Sequence, residues 1–358
     1  MNYFSEDCET PFQANERAQR LAFAPIAFQA ARLLCKTGIL KFVHSKGKKG
    51  ATLSEVQNKS SVSRYGVKVL LESGLGSGLF VYKNNRFIVT KTAYMLLFDR
   101  MTRVNIDFIH DVCYLGMFDL EKAIETEKPV GLRNLGKWKT IYEGLSKLRP
   151  QVKKSWLEFD HYYSDLAFDK VLPIVFSSKP KSILDIGGNT GKWARLCTKY
   201  DSKVKVTIAD LPGQLSMARL GKRIKGYPIN VLDSKQNFPK GNDVIWMSQF
   251  LDCFSQKEII SILKRVKKVM KKEDSLFILE TFWDKQPNET AAYCVQQTSL
   301  YFTCLANGNS QMYHSEDLKE CLSVAGFKVK KDINIPGSYH TLLQCVSANS
   351  TKNKALSN

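Results

Sequence analysis

The chain has 358 residues, of which 44% are hydrophobic and 24% are charged. This length predicts two domains of ordinary size, and the composition excludes collagen-like, coiled-coil and wholly disordered proteins. The formal net charge of +19 permits an anionic partner, but the lysines occur in short scattered clusters that are typical of solvated helix faces.

The nine cysteines are odd in number, scattered, and never spaced as CxxC. This pattern favours buried or free thiols over a disulfide framework or a zinc site, so we expect no metal. No apolar run reaches the ~20 residues of a membrane span. Because the first ten residues are polar and acidic, we expect no signal peptide, no membrane partner and a cytoplasmic protein.

The N-terminal third has the pattern of a winged helix. Apolar residues recur at helical spacing from Ala14 to Val43. Thr52, with Glu55 three residues later, predicts a capped helix, and a second helix is expected over Ser63–Leu75. The runs LFVYK and RFIVT, joined by Asn84-Asn85, predict the two-stranded wing.

This second helix does not have the composition of a DNA-recognition helix. It carries Arg64 and Lys68 but also Glu72, and it is otherwise apolar. Recognition helices present several basic and amide side chains to phosphates and base edges. We therefore expect packing or dimerisation and no nucleic-acid partner, and we keep a DNA-binding regulator as an alternative.

The pattern changes to alternating strands and helices from Lys181 onwards. The apolar runs SILDIGG, VKVTIAD, DVIWMSQ and SLFILET are separated by helical stretches. This alternation predicts a parallel, doubly wound, Rossmann-like α/β sheet. The expected division is a winged-helix domain at 1–100, a helical linker contributing to the active site at 101–175, the α/β domain at 176–346 and a flexible tail at 347–358.

A glycine-rich turn and several polar residues follow the predicted strands. Ser182–Gly191 reads SILDIGGNTG, which does not fit the dinucleotide spacing GxGxxG. Asp210 ends the next strand, where its two oxygens could accept both hydroxyls of a ribose. Because the carboxyl ends of parallel strands meet at one crevice, Asp233 and Ser248 after the third and fourth strands should line the same pocket.

These segments together resemble the small-molecule O-methyltransferases of the caffeate/hydroxyindole type. SILDIGGNTG resembles their motif I, with Asn189 at the middle glycine, and FDHYYSD, ADLPGQL, ETFWD and HSEDLKECLSVAGFKV resemble further family segments. The resemblance extends from about Ala14 to Cys345. It implies methyl transfer from S-adenosylmethionine (SAM) to a hydroxyl of a small aromatic molecule, with S-adenosylhomocysteine (SAH) as product. It also implies a homodimer formed through the winged-helix domain.

The resemblance implies two sets of site residues. The SAM contacts would be Asp185, Gly187, Gly188, Asp210, Leu211, Asp233, Ser234, Ser248, Gln249 and Ser164. The acceptor contacts would be His161, Tyr163, Tyr301 and Asn307.

The chain departs from this family at the catalytic base. Asp252 stands where the family has a histidine, and Glu280 matches one of two carboxylates that flank it, whereas Met312 occupies the place of the other. A free aspartate is a weaker base than histidine by about 2.6 pKa units, which burial would partly recover. We predict Asp252 and Glu280 as the catalytic residues.

Other interpretations of this segment stay open. Asp252 could instead cap the following helix, and His161 or His314 could reach the pocket as the base. A catalytically silent SAM- or ligand-binding protein, or a different reaction at the same site, would also fit the missing histidine.

Overall fold

The computed structural model describes residues 4–348, except for the side chain of Asp165. It divides into two compact units, one over residues 4–109 and one from His110 onwards. Most of the predicted tail at 347–358, from residue 349 on, lies outside the described residues.

The N-terminal unit is a winged helix, as predicted. Its elements are α1 (Pro11–Lys36), α2 (Ile39–Ser45), α3 (Leu53–Gln57), α4 (Arg64–Gly76), β1 (Phe80–Lys83), β2 (Arg86–Val89), α5 (Lys91–Phe98) and α6 (Arg100–Phe108).

Local chemistry explains the boundaries of these elements. The Thr52 side chain accepts a hydrogen bond from the backbone of Glu55, whose carboxylate accepts from Thr52 in return, so α3 begins with the predicted capping box. Asn84 and Asn85 have φ of 52° and 60° and form the turn between β1 and β2. Helices α1 to α5 and the wing share one core around Leu34, which is fully buried.

The C-terminal unit is an α/β sheet with helices on both faces. Its elements are α7 (Leu120–Thr126), α8 (Ile141–Gly144), α9 (Pro150–Val175), β3 (Ser182–Ile186), α10 (Lys192–Tyr200), β4 (Lys205–Asp210), α11 (Pro212–Leu215), β5 (Ile224–Pro228), β6 (Val244–Ser248), α12 (Gln256–Val269), β7 (Ser275–Glu280), α13 (Glu289–Tyr301), α14 (Ser315–Val324), β8 (Phe327–Asn334) and β9 (Thr341–Ser347).

The seven strands are ordered β5-β4-β3-β6-β7-β9-β8. Five strands pair in parallel, as predicted, whereas β9 runs antiparallel to both β7 and β8, so β8 runs in the same direction as those five. The predicted strands are therefore parallel, whereas the antiparallel strand at this edge was not predicted. A short turn joins β8 to β9, and strands joined in that way pair as an antiparallel hairpin.

The parallel strands bring their carboxyl ends to one edge of the sheet. Ile186 at the end of β3 pairs with Ala209 of β4 and with Met247 of β6. Ser248 at the end of β6 pairs with Leu279 of β7. The residues that follow these strands are therefore close together, and they form the candidate site.

Candidate active site

The turn after β3 has no room for side chains at two glycines. Gly187 has φ of +76°, and a Cβ there would lie 2.2 Å from the ring of Phe250. A Cβ at Gly188 would lie 2.5 Å from Oδ2 of Asp185. The backbone of the turn can therefore pass close to both neighbours only with glycine at these two predicted positions.

Asp210 holds the turn in place from the end of β4. Its Oδ2 accepts a hydrogen bond from the Asn189 N–H at 2.9 Å, and its Oδ1 accepts from the Leu211 N–H at 2.7 Å. Burial raises the pKa of Asp210 to about 6, although the two backbone hydrogen bonds oppose the shift. Each oxygen keeps a lone pair, so the carboxylate retains the capacity to accept two further hydroxyl groups.

Five buried polar atoms around this turn have no hydrogen-bond partner. They are Asp185 Oδ2, Asn189 Oδ1, Ser248 Oγ, Gln249 Oε1 and Glu280 Oε2. Buried polar atoms in proteins are nearly always hydrogen-bonded, so such a cluster fits a polar ligand that completes it. The pKa of Asp185 is raised to about 8, mainly by burial and further by the charge of Asp210.

Two of the predicted SAM contacts, Asp233 and Ser234, lie in the turn that follows β5. Asp233 Oδ1 accepts from the Lys235 N–H and its Oδ2 accepts from Gln236 Nε2, each at 3.0 Å. Ser234 is exposed. The structure therefore gives Asp233 a local role in this turn, which the sequence did not reveal.

Ser164 lies on α9, away from the strand ends in sequence. It is buried, and its hydroxyl donates to the backbone carbonyl of Asp160 one turn earlier in the same helix.

Glu280, the last residue of β7, fixes the turn that follows β6. It is 3% exposed, and its Oε1 accepts hydrogen bonds from the N–H groups of Phe250 at 3.0 Å and Leu251 at 2.8 Å. Burial and the nearby charge of Asp252 raise the pKa of Glu280. Successive backbone donors of this kind form a cradle for a carboxylate.

Asp252 is buried in the same turn and does not cap the next helix. Ser255 caps α12 and forms a capping box with Glu258, so the capping alternative for Asp252 is excluded. The pKa of Asp252 is raised to about 7, first by burial and then by the charge of Asp160, against a hydrogen bond from the Cys253 thiol. Its environment therefore recovers the basicity that the missing histidine would supply.

The predicted acceptor contacts fall into two groups. Tyr301 is buried, and its hydroxyl accepts from Trp156 Nε1 at 2.7 Å. The amide of Asn307 is hydrogen-bonded within the protein, donating to the Cys253 carbonyl and accepting from the Ser310 hydroxyl.

The other two, His161 and Tyr163, lie half-buried on α9. The ring of Tyr163 contacts those of Phe159, Tyr162 and Tyr339.

The side chain of His314 caps the helix α14. Its Nδ1 accepts from the Glu316 N–H and caps α14, and its ring packs against Trp283. The suggestion that His314 serves as the base is therefore not supported by its position.

Sequence reasoning missed three residues that the structure places beside Asp252. The charge of Asp160 on α9 raises the pKa of Asp252. The Cys253 thiol donates a hydrogen bond to the Asp252 carboxylate at 3.4 Å, and the Tyr142 phenol lies beside Cys253. The only signal for Asp160 was its place in FDHYYSD, immediately before His161. Among residues 4–348 no group of three or more His, Cys, Asp or Glu side chains could hold a metal ion, and none of the helices there is long and apolar enough to cross a membrane.

Two family models match the chain. Residues 15–87 match the Dimerisation2-like domain, and residues 133–328, more than half of the chain, match the O-methyltransferase domain. The chain belongs to the O-methyltransferase family. Membership confirms the predicted resemblance, the predicted fold and the predicted enzyme class, a methyltransferase that uses SAM on a small molecule.

Individual relatives of this O-methyltransferase family member are distant. L-tyrosine C(3)-methyltransferase of Streptomyces lavendulae is 21% identical over 330 residues, covering 88% of each chain. Demethylspheroidene O-methyltransferase of Rhodobacter capsulatus is 27% identical over 165 residues, covering 46% of this chain and 40% of the relative.

Solved structures show the same fold. Mitomycin 7-O-methyltransferase superposes with a TM-score of 0.71 at 14% identity, covering 94% of this chain and 98% of its own. Human N-acetylserotonin methyltransferase in complex with SAM superposes with a TM-score of 0.67 at 15% identity, covering 96% of this chain and 99% of its own.

Proposed function

We propose that this protein transfers a methyl group from SAM to a phenolic hydroxyl of a small aromatic molecule, with Asp252 as the general base. The observation that carries the proposal is the buried Asp252 carboxyl, whose pKa is raised to about 7. A phenol with a pKa of about 10 is almost wholly protonated at neutral pH, and a base whose pKa lies near the working pH is the most effective.

The residues present fit SAM as methyl donor. Asp210 would hold the ribose hydroxyls, the glycine turn would lie against the nucleoside, and the unpartnered atoms of Asp185, Ser248 and Gln249 would accept its polar groups. Bound SAM supplies an activated methyl group. The task left to the chain is to orient the acceptor and remove its proton, which Asp252 would do, while Glu280 holds the turn that carries Asp252.

An aromatic acceptor suits the surroundings of the base. Phe250 and Phe254 pack ring to ring at 4.9 Å on either side of Asp252 in sequence, and Trp283 follows Glu280 closely. The comparisons agree with an aromatic acceptor: one relative is named as an L-tyrosine methyltransferase, and a structural neighbour was solved with 1,4-dihydroxy-2-naphthoic acid.

Methylation at carbon is the second candidate. The relative that covers 88% of both chains is an L-tyrosine C(3)-methyltransferase. A base that removes the phenol proton creates a phenolate, whose neighbouring ring carbon is also a nucleophile. Methylation at that carbon releases SAH, and loss of the proton on the same carbon then restores the aromatic phenol. The same Asp252 would therefore serve either reaction, and orientation of the ring would decide between oxygen and carbon.

We further propose a homodimer formed through the N-terminal unit. Phe12, Phe23, Ile26 and Leu33 recur along α1 and are 71%, 61%, 66% and 42% exposed in the single chain. An exposed apolar helix face of this kind indicates a protein partner, and the match to a dimerisation domain favours a second copy of the chain. On α4 Lys68 pairs with Glu72 at 3.3 Å, so one of the two basic side chains of this helix already has an acidic partner.

The remaining assignments are also proposals. The helical segment at 101–175 contributes Tyr142 and Asp160 to the surroundings of Asp252, which supports its predicted role in the active site. The nine cysteines are all free, which is consistent with a reducing cytoplasmic location.

The test is a methyl-transfer screen with SAM carrying a labelled methyl group. The acceptors would be L-tyrosine, catechol and 1,4-dihydroxy-2-naphthoic acid, and product NMR would separate O- from C-methylation. We expect labelled product from the wild-type protein and a large loss in Asp252→Asn with unchanged SAH affinity. Tight SAH binding without transfer to any phenol would instead indicate the silent binding protein.

A further inference from the structure

Arg265, on the helix α12, is a buried arginine whose charge has no acidic partner. It is 7% exposed. Among residues 4–348 its partners are three backbone carbonyls and the ring of Phe238, whose centre lies 5.3 Å from the guanidinium carbon, and it forms no ion pair. Burying a charge is costly unless polar groups compensate it, so the contacts of Arg265 must offset that cost.

The three carbonyls all belong to the turn after β5. The Nη1 group of Arg265 donates to the carbonyl of Asp233 at 3.2 Å and to that of Gln236 at 3.0 Å. Its Nη2 group donates to the carbonyl of Val231. Because a guanidinium is planar and its donors have a fixed arrangement, it holds these three backbone groups in one relative geometry.

The same turn is ordered by its own side chains. The Leu232 N–H donates to Asn230 Oδ1, and the Asn230 N–H donates to Gln236 Oε1, each at 3.0 Å. The Gln236 amide donates to Asp233 Oδ2 at 3.0 Å. A loop that is ordered in this way on a rigid sheet is suited to carry a binding surface.

The turn lies beside the carboxylate that is proposed to hold the ribose. The Ile229 N–H donates to the Asp210 carbonyl at 2.9 Å, and the turn follows directly. In the strand order β5-β4-β3-β6, Asp210 ends β4, whereas the unpartnered acceptors of Asp185 and Ser248 are on β3 and β6. Those acceptors suit the ammonium group of SAM. With the ribose at the end of β4, the adenine base is left to the β5 side, where the turn lies.

We propose that Arg265 is a positioning residue for the methyl donor, because it fixes the turn after β5 as the support for the adenine base of SAM. It acts through the backbone of the turn and does not contact the donor. Leu232 in this turn is 48% exposed, so an apolar side chain is available for the face of a purine. The inference rests on the proposed function, because it takes SAM as the ligand.

Two variants remove the hydrogen bonds to different extents. Arg265→Met keeps an unbranched apolar side chain beside Phe238 but leaves the three carbonyls without their donor. Arg265→Lys keeps the positive charge, but a single ammonium group cannot reproduce the spread of donors of a guanidinium. The matched control is Lys264→Met, which removes one positive charge from the preceding, exposed position of the same helix.

The experiment is a calorimetric titration of SAH into the full chain, which gives both the dissociation constant and the number of sites per chain. We expect the dissociation constant to rise about tenfold in Arg265→Met and about threefold in Arg265→Lys, as for partial loss of hydrogen bonds to a charged group. The number of sites should stay at the wild-type value. Lys264→Met should change neither quantity.

The number of sites distinguishes positioning from a purely structural role. Partial unfolding lowers the number of sites and leaves the dissociation constant of the folded fraction unchanged. That result overturns the inference, as does a wild-type dissociation constant in both Arg265 variants. If Arg265→Met does not fold, Arg265→Lys decides by the same two quantities. A wild-type protein that binds no SAH would instead overturn the proposed function.

Discussion

The carboxylate of Glu280 lies 2.8 Å from the backbone nitrogen of Leu251, one residue before Asp252. The last residue of one strand thus fixes the turn after its neighbour, and that turn carries the proposed base. The other oxygen of Glu280 has no partner, and its carboxyl is close enough to Asp252 for each to affect the other's protonation.

Removing the Glu280 carboxyl should destabilise the protein through the turn. In Glu280→Ala two buried N–H groups lose their acceptor, at a cost of about 2–4 kcal/mol in the free energy of unfolding. Glu280→Gln retains an acceptor oxygen and should lose much less. Urea unfolding followed by circular dichroism measures both, and equal losses in the two variants would contradict the structural role of the hydrogen bonds.

Asp210 and Asp233 should differ in their importance for the methyl donor. Asp210 has lone pairs available at the strand ends, and we expect Asp210→Asn to weaken SAH binding by at least about tenfold, as for loss of a charged hydrogen-bond acceptor. Asp233→Asn should have a smaller effect, because its carboxylate stabilises a local turn. Calorimetric titration with SAH compares them, and the reverse order would show that the turn after β5 is the main donor contact.

Asp185 should reduce the stability of the ligand-free protein at neutral pH. Its pKa is raised to about 8 in the folded chain, whereas the unfolded chain releases this proton near pH 4. The unfolded state therefore binds fewer protons between these values, and stability falls as the pH rises from 4 to 8. Asp185→Asn should be more stable than the wild type by about 4 kcal/mol at pH 7, with no difference at pH 4.

Thermal unfolding of the two proteins at pH 4 and pH 7 tests this prediction. The matched control is Asp233→Asn, because the Asp233 carboxylate lies in the turn after β5. A gain in melting temperature for Asp185→Asn that is the same at both pH values would contradict the account.

Disrupting the exposed face of α1 should dissociate the proposed dimer. Phe23 and Ile26 are 61% and 66% exposed in the single chain, so charged substitutions there have little effect on the fold of one chain. We expect Phe23→Glu/Ile26→Glu to sediment as a monomer of 40.6 kDa, and the wild type at twice that mass. A monomeric wild type would contradict the proposed dimer.

The positions of several candidate-site residues followed from local sequence. Gly187, Asp185 and Asp210 are recognisable because a strand end and a tight turn place strict demands on neighbouring residues. The hairpin of β8 and β9 was missed because its direction depends on the short turn between the strands, which apolar runs do not reveal.

The interactions around Asp252 required the tertiary structure. Asp160 lies 92 residues before Asp252 in the printed numbering, and only the packing of α9 brings its charge there. Whether Asp252 caps α12 also depended on which residue begins that helix, and Ser255 with Glu258 excluded the cap. The hydrogen bond from Asn189 to Asp160 joins two separate elements, and no local sequence pattern indicates it.

The pH dependence of methyl transfer tests the central claim most directly. Because burial raises the pKa of Asp252 to about 7, the rate at low acceptor concentration should rise with pH, reach half its limit near pH 7 and then level off. Asp252→Asn should lose this rise and be slower by about 10²–10⁴-fold. A variant that keeps the wild-type rate and the wild-type pH profile would contradict the role of Asp252 as the base.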